Sequence, residues 1–267
     1  MKRVVVTGAS RGIGFDLCRL LVRAGGYEVV GTSRSWPGEA LEELRALAAG
    51  TQSGGGQRSS SFSGLTLDNS SADSRLRFPL ALSRVLRNSK LHALVNNAAV
   101  YPQPTSAWDA ETFRNVMETN AVGPLRLAMD LHQFAADDFH VVNVTSGLGR
   151  LALLGAPYRA AVEACHSVGD LAALPFVEGY GAGASSPAPL YALSKAALNR
   201  GTRVLADAWG SSARVSSVDP GWCSTSMGGP SAPRSSRDGA LSLLAIILGN
   251  SGGSGNVFSC KGGKVDP

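Results

Sequence analysis

Cysteine is scarce in this chain. Its 267 residues hold four, Cys18, Cys165, Cys223 and Cys260, far apart and without metal-ligand spacing. That argues against a disulfide framework or a zinc module and for reduced thiols in a cytosol-like compartment. Histidine is equally rare, and neither His92 nor His166 has sequence neighbours that point to a metal. Aromatic residues make up 6% of the chain and the net charge is only +5, with the basic residues scattered. Without a basic stripe interleaved with aromatics, no nucleic-acid partner is expected. The longest apolar run, Ala240 to Leu248, is far short of the roughly 20 residues that span a bilayer, so no membrane partner is expected. The first strand begins almost at Met1, which leaves no room for a signal peptide and makes a cytoplasmic location the expectation.

Glycine, by contrast, is abundant at 32 residues, and the length suits one large α/β domain with a substantial core. Lys2 to Thr7 contains Val4-Val5-Val6, a β-branched run that reads as a strand buried on both faces. Thr7-Gly8-Ala9-Ser10-Arg11-Gly12-Ile13-Gly14 follows, then a helix with Ile13, Leu17, Leu20, Leu21 and Ala24 on one face. Gly25-Gly26 stops the helix and Tyr27 to Thr32 gives a second strand. Glycines let a backbone approach a pyrophosphate, and the helix N-terminus adds free N–H groups and a positive dipole end. The spacing is TGxxxGxG rather than the dinucleotide fingerprint GxGxxG.

The same alternation continues. A helix is expected over Glu39 to Ala49, a flexible loop over Gly50 to Ser63, a strand over Phe62 to Leu67 and a helix over Asp73 to Leu86 despite Pro79. Leu91 to Val95 reads as the fourth strand, followed by Asn96-Asn97-Ala98-Ala99. The helix from Ala110 to about Asp130 carries Asn120, a poor mid-helix residue, and Gly123-Pro124 beside it predicts a local distortion that gives it room. Phe139 to Val144 is the fifth strand and ends in Thr145-Ser146-Gly147. Pro157 to Leu174 reads as a helix, Gly179 to Pro189 as a small-residue loop, and Leu190 to Trp209 as a long helix. Arg214 to Val218 and Asn256 to Ser259 are the sixth and seventh strands, Arg237 to Leu248 the last helix, Ser231 to Ser236 a mobile polar lid, and Lys261 to Lys264 a polar tail.

One spacing stands out on the long helix. Tyr191 and Lys195 are four residues apart, hence on one face, and no other tyrosine has a lysine four residues on. An ammonium beside a phenol favours the phenolate, so Lys195 is expected to lower the Tyr191 pKa and make it a usable proton donor and acceptor.

The octet TGASRGIG, together with Tyr191 and Lys195, resembles the short-chain dehydrogenase/reductase family. The resemblance implies a Rossmann-type, doubly wound parallel sheet of seven strands in a single domain that binds NAD or NADP. It implies a catalytic set of Asn120, Ser146, Tyr191 and Lys195: Tyr191 gives a proton to the substrate oxygen, Ser146 hydrogen-bonds it, Lys195 also contacts the nicotinamide ribose, and Asn120 holds a proton-relaying water. Cofactor contacts are implied at Gly8, Ser10, Arg11, Gly12, Ile13 and Gly14 of the turn, at Ser33 and Arg34, at Asp68 and Asn69, at Asn97 and Ala98, at Tyr191 and Lys195, and at Pro220, Gly221 and Thr225. For Asp68, Asn69 and Ser70 a helix N-cap is an equal alternative. The family's NNAG reads Asn96-Asn97-Ala98-Ala99 here, a mild change if Ala99 has negative φ. At the end of the second strand stand Ser33-Arg34-Ser35 with no carboxylate. A carboxylate would repel a 2′-phosphate, whereas Arg34 and Arg11 could pair with one, so NADP(H) is the expected cofactor.

Ser146 and Tyr191 are separated by 44 residues, more than in most of the family. A segment this long, at about 147–189, resembles the carbonyl reductase branch and implies a monomer, because the added residues would cover the helices that other members use to dimerise. Asp219-Pro220-Gly221-Trp222 with Thr225 resembles that branch too, while Ser226 departs from its common aspartate. Trp222 is expected either to line the substrate pocket or to pack, and Cys223 to be an incidental thiol. The leading expectation is NADPH-dependent reduction of aldehyde, ketone or quinone carbonyls, with no metal. The alternatives are an NADP-dependent alcohol or steroid dehydrogenase working toward oxidation, and a non-catalytic NADP-binding regulatory protein.

Overall fold

Val4, Val5 and Val6 are all buried, and alternate valines serve different cores. Val5 joins an apolar cluster on one face of a sheet, Val4 and Val6 another on the opposite face. Period-two alternation with both sets apolar is the pattern of a parallel strand covered by helices on both sides. The computed structural model describes residues 1–52, 58–102, 108–180, 185–249 and 253–266, and the strand is β1, Lys2–Thr7.

The chain then alternates. It runs through α1 (Gly12–Ala24), β2 (Tyr27–Ser33), α2 (Gly38–Gln52), β3 (Ser61–Thr66), α3 (Ala72–Leu86) and β4 (Leu91–Asn96). Next come α4 (Ala110–Met117), a π-helical turn (Glu118–Val122), α5 (Gly123–Leu131) and β5 (Ala135–Val144). Two short helices, α6 (Ala156–Glu163) and α7 (Val168–Ala172), precede α8 (Pro189–Trp209) and β6 (Arg214–Val218). The chain closes with β7 (Cys223–Ser224), β8 (Arg234–Ser235), α9 (Ser236–Leu248), β9 (Val257–Phe258) and β10 (Lys264–Val265).

The main sheet has the order β10-β9-β6-β5-β4-β1-β2-β3. Seven of its strands are parallel as expected, and β10 adds an antiparallel edge. The C-terminal stretch is therefore not wholly a polar tail: Lys264 pairs with Phe258 and Val265 with Val257. Strand order reverses between β1 and β4, the switch point at whose carboxyl edge such sheets bind ligands. Residues from α3, α4, α5 and α8 fill one face, and α1, α2 and α9 the other. Each fully buried Leu, Val or Phe contributes about 1.5–3 kcal/mol.

Some boundaries depart from the sequence reading. Gly50 to Gln52 completes α2 and Ser61 to Ser63 belongs to β3, while 53–57 of the expected loop lie outside the described residues. The single helix expected over Pro157 to Leu174 is two, because Ser167 and Asp170 form a capping box that restarts the chain at α7. The small-residue loop before α8 lies partly, at 181–184, outside the described residues. The expected mobile lid is tied down: Arg234 and Ser235 pair with Cys223 and Ser224, and Ser235 caps α9 with Asp238.

Candidate active site

The glycine turn is a backbone cradle. Gly8 has φ +65, and a Cβ there would come within 2.9 Å of the Ala98 Cα. A Cβ on Gly14 would overlap the Gly8 carbonyl and meet Asn97 Nδ2 at 2.5 Å. Only glycine allows this approach of the turn to the end of β4. Asn97 locks it, its Nδ2 donating to the carbonyls of Thr7 (2.9 Å) and Gly8 (3.1 Å). The backbone N–H groups of Asn97 and Ala98 both donate to Thr7 Oγ1. Asn96 ties β4 to β5 and α5 through Asn143 Oδ1 and the Pro124 carbonyl. Ala99 is compatible with this turn, since among the described residues positive φ outside glycine occurs only at Arg87 and Asn88.

The start of α1 suits an anion. Arg11 is its N-cap in extended conformation, with no side-chain cap bond and no acidic residue in the first turn. The first N–H groups, from Gly12 and Ile13 onward, therefore keep their capacity for a phosphate. Thr225, from the loop after β6, stands against Gly12, with Cγ2 at 3.3 Å from a Cβ placed there. At the end of β2, Ser33 Oγ donates to the Ser35 carbonyl (2.6 Å) and pairs with Ser10 Oγ (3.0 Å), joining strand to turn. Arg11 and Arg34 are exposed and enter no ion pair among the described residues. A phosphorylated dinucleotide fits this donor set: a glycine cradle, open helix N–H groups and two available guanidiniums.

Asp68 accepts from the N–H and hydroxyl of Ser70. The cap of α3 is neither Asp68, Asn69 nor Ser70 but Ser71, whose side chain accepts from the Ser74 N–H, so the N-cap alternative falls one residue further on. Asn69 is buried with both side-chain polar atoms unpartnered.

Across the switch point, Tyr191, Lys195 and Ser146 come together from α8 and the end of β5, while Asn120 bonds to Val100 and Ser194. Tyr191 and Lys195 rise from α8, both buried. Ser146 follows β5, lies near enough to the Tyr191 hydroxyl to act on its ionisation, and accepts from the Leu148 N–H at 3.2 Å. Asn120 lies in the π-helical turn, the distortion that Gly123-Pro124 predicted. Its Oδ1 accepts from the Val100 N–H (2.8 Å), and its Nδ2 donates to the Val100 carbonyl (2.9 Å) and Ser194 Oγ (3.0 Å). Asn120 thus pins α8 to the loop after β4.

The electrostatics correct one expectation. Lys195 Nζ donates to the Val144 carbonyl at 2.8 Å and stands 5.6 Å from the Tyr191 ring centroid. Burial lowers the Lys195 pKa to about 7, so near neutral pH much of its charge is lost. Tyr191 moves upward, chiefly through burial; the Ser146 hydroxyl opposes the rise, and Asp219 and Tyr101 add to it. In this geometry desolvation outweighs the attraction of an ammonium, and Lys195 does not lower the phenol.

Two neighbours escaped the sequence reading. The Tyr101 ring lies 4.9 Å from that of Tyr191, tilted by 55°, and stays 38% exposed. Asp219, at the end of β6, accepts from the Gly221 N–H (2.9 Å) and donates its own N–H to the Phe258 carbonyl (2.8 Å). Position after β4 and β6, at the edge where ligands bind, was the available signal for both. Trp222 is 58% exposed with Nε1 donating to the Gly228 carbonyl, so it is not a packing residue. Pro220 is buried and Gly221 partly so beside it. A cleft of about 570 Å³ lined by Lys2, Gly26, Arg58, Ser59 and His92 lies at the opposite, amino edge of the strands and takes no part in this group.

Known proteins resemble this chain in sequence and in fold. The chain is 31% identical to the (+)-neomenthol dehydrogenase of Arabidopsis thaliana, covering 96% of this chain and 95% of that protein. A carbonyl reductase from Pseudomonas aeruginosa is 27% identical with a TM-score of 0.71 over 100% of both chains. The NADPH-bound carbonyl reductase from chicken fatty liver shares the fold at 22% identity, with a TM-score of 0.75 over 100% of this chain and 99% of that one. The model of the short chain dehydrogenases matches residues 2–174, and with these relatives it establishes that the chain belongs to the short chain dehydrogenase family.

Proposed function

We propose that the protein is an NADPH-dependent carbonyl reductase acting on aldehydes, ketones or quinones. The observation that carries the reading is the convergence of Tyr191, Ser146 and Lys195 beside the glycine cradle at one edge of the sheet. NADP(H), when bound, supplies the hydride. The turn of Gly8, Ser10, Arg11, Gly12, Ile13 and Gly14 holds its pyrophosphate, and Asp68, Asn69, Asn97 and Ala98 line its adenine and ribose side. Pro220, Gly221 and Thr225 border the nicotinamide. Arg34, Ser33 and Arg11 select the 2′-phosphate, and the chicken carbonyl reductase of the same fold was solved with NADPH.

The chain's own residues handle the proton. Ser146 hydrogen-bonds the substrate oxygen as negative charge develops there, and Tyr191 donates its phenolic proton to the same atom. Lys195, anchored on the Val144 carbonyl and titrating near neutrality, exchanges protons on the Tyr191 side of the site. Asn120, saturated by Val100 and Ser194, fixes the depth of α8. The exposed faces of Trp222 and Tyr101 supply an apolar wall for the carbonyl's substituents.

The protein is proposed to act in the cytoplasm, as a monomer. Supporting the latter, α6 and α7 pack on α8, and Arg200 of α8 donates to the Cys165 carbonyl, so this helix is covered by the chain itself. The test is a panel of aldehydes, ketones and quinones with NADPH and with NADH, read as loss of nicotinamide absorbance. Consumption of NADPH with at least ~10-fold preference over NADH is expected, one charge-assisted contact being worth about 1.5–3 kcal/mol. Binding of NADPH without turnover across the panel would overturn the reading in favour of a regulatory protein.

A further inference from the structure

Of the lysines, arginines and carboxylates among the described residues, only two are buried: Lys195, in the active site, and Arg75, on α3. Burying a charge is costly unless it is paired and its hydrogen bonds are met. Arg75 meets this condition with both arms of one planar fork. Its Nη1 donates to the Asn69 carbonyl, and its Nη2 donates to Glu118 Oε1 at 2.5 Å. Glu118 opens the π-helical turn that carries Asn120. The far end of the turn is reached as well. A Cβ on Gly123, the residue after it, would overlap the Asn69 carbonyl and meet the Glu118 carbonyl at 2.6 Å and Arg75 Nη1 at 3.2 Å. The guanidinium therefore grips the first residue of the turn directly and bears on the residue after its last through the Asn69 carbonyl.

We propose that Arg75 is a positioning residue: it clamps the π-helical turn so that Asn120 reaches Val100 and Ser194 and holds α8, with Tyr191, at its depth in the site. The proposal rests on the reading of Tyr191 as proton donor. The π register is rare and is found mostly at functional sites. A slip of one residue into α-helical register would turn Asn120 by roughly 100° about the helix axis. Its amide would then leave the Val100 carbonyl and Ser194 Oγ, to which it now donates at 2.9 and 3.0 Å. A planar fork holds two acceptors at a fixed spacing, which a single ammonium does not. Arg126 donates to the same Glu118 oxygen at 3.3 Å from the exposed side, so the carboxylate keeps a cation when Arg75 is replaced.

The experiment compares Arg75→Met and Arg75→Lys, which lose the fork, with Arg126→Gln, which leaves it intact. Asparagine is labelled with nitrogen-15, and the Asn120 side-chain amide is assigned by its disappearance in Asn120→Ala. That resonance should move in both Arg75 variants, each shown by denaturant unfolding to be folded, and stay in place in Arg126→Gln. Carbonyl reduction at saturating NADPH should fall at least ~10-fold in Arg75→Met, because small misplacements of reacting groups are that costly. In the Asn120→Ala background the same replacement should cost no further activity, whereas a structural loss unconnected with Asn120 would add to it. An Asn120 amide that stays in place in the folded Arg75 variants, or losses that add in the double variant, overturns the proposal. Should Arg75→Met not fold, Arg75→Lys, which retains the charge, carries both readings. If the amide moves while no carbonyl is reduced even by the intact protein, the clamp on Asn120 stands and the assignment of Tyr191 as donor is what fails.

Discussion

Residues 7–14 keep their shape with bare glycine backbone anchored by two polar side chains. The Thr7 hydroxyl accepts from the Asn97 and Ala98 N–H groups, the Asn97 amide donates to the Thr7 and Gly8 carbonyls, and the glycines permit approaches that a Cβ would block. Residues 147–180, on the way from Ser146 to α8, keep their shape with side chains. Tyr158 is fully buried, takes the Val177 N–H and gives its own proton to the Pro175 carbonyl at 2.6 Å. Tyr180 packs edge-on against it with ring centroids 4.2 Å apart and accepts from the Gly155 N–H. Phe113 of α4 stacks on Tyr158 and touches Phe176, and Trp108 lies 5.9 Å from Tyr180. The first region, proposed above to hold the cofactor's pyrophosphate, takes its shape from glycines and the Thr7 and Asn97 side chains. The second pins a length of chain over α4 and α8 by aromatic contacts drawn from well-separated positions. A region built from backbone tolerates almost no change at a few positions, whereas one built from packed rings spreads its tolerance.

The largest effect should come where the two regions meet. Tyr191→Phe keeps the ring and removes the proton, and carbonyl reduction should fall at least ~10²-fold with NADPH affinity retained. Near-normal turnover would remove Tyr191 as donor. Next, Gly14→Ala forces a methyl into the Gly8 carbonyl and the Asn97 amide. Such overpacking costs about 1–3 kcal/mol, and NADPH binding measured by titration calorimetry should weaken roughly 10-fold or more. Tyr158→Phe should be milder: its buried hydrogen bonds to Pro175 and Val177 are lost at about 1–2 kcal/mol, seen in denaturant unfolding, with NADPH affinity unchanged. If Tyr158→Phe weakens the cofactor as much as Gly14→Ala does, the two regions are not separable.

Near neutral pH the smallest effect, growing only as the solution is acidified, concerns neither region. His140, in the middle of β5, is buried with Nε2 3.1 Å from Ser216 Oγ, and burial lowers its pKa from 6.5 to about 3. Between those values the unfolded chain binds a proton that the folded chain refuses. Stability should therefore be full above pH 6.5 and fall toward pH 3, by at most about 1.4 kcal/mol per pH unit from this group. Denaturant midpoints against pH, compared with those of His140→Asn, should show a shallower slope in the variant.

The legible parts share a property. TGASRGIG, the valine runs and the Tyr191–Lys195 spacing are contiguous or one helical turn apart, so local sequence carries their geometry. Even the π-helical turn at Asn120 was announced by Gly123-Pro124 four residues along. Less legible was the division of Pro157 to Leu174 into α6 and α7, which depends on one capping box within an otherwise helical pattern. The β10 edge was missed because two residues of strand carry almost no periodicity.

From sequence alone followed the order of strands and helices, the glycine turn and the Tyr191–Lys195 spacing, because each rests on short-range spacing and on backbone freedom that glycine confers, whereas Asn120 and Ser146 followed from the family resemblance. Only the tertiary structure decided the ionisation of Tyr191 and Lys195. Burial depth, the Val144 carbonyl, Tyr101 and Asp219 reach those two groups from β5, β4 and β6, and a charge in a desolvated site answers to every neighbour in space rather than to the residue four positions away.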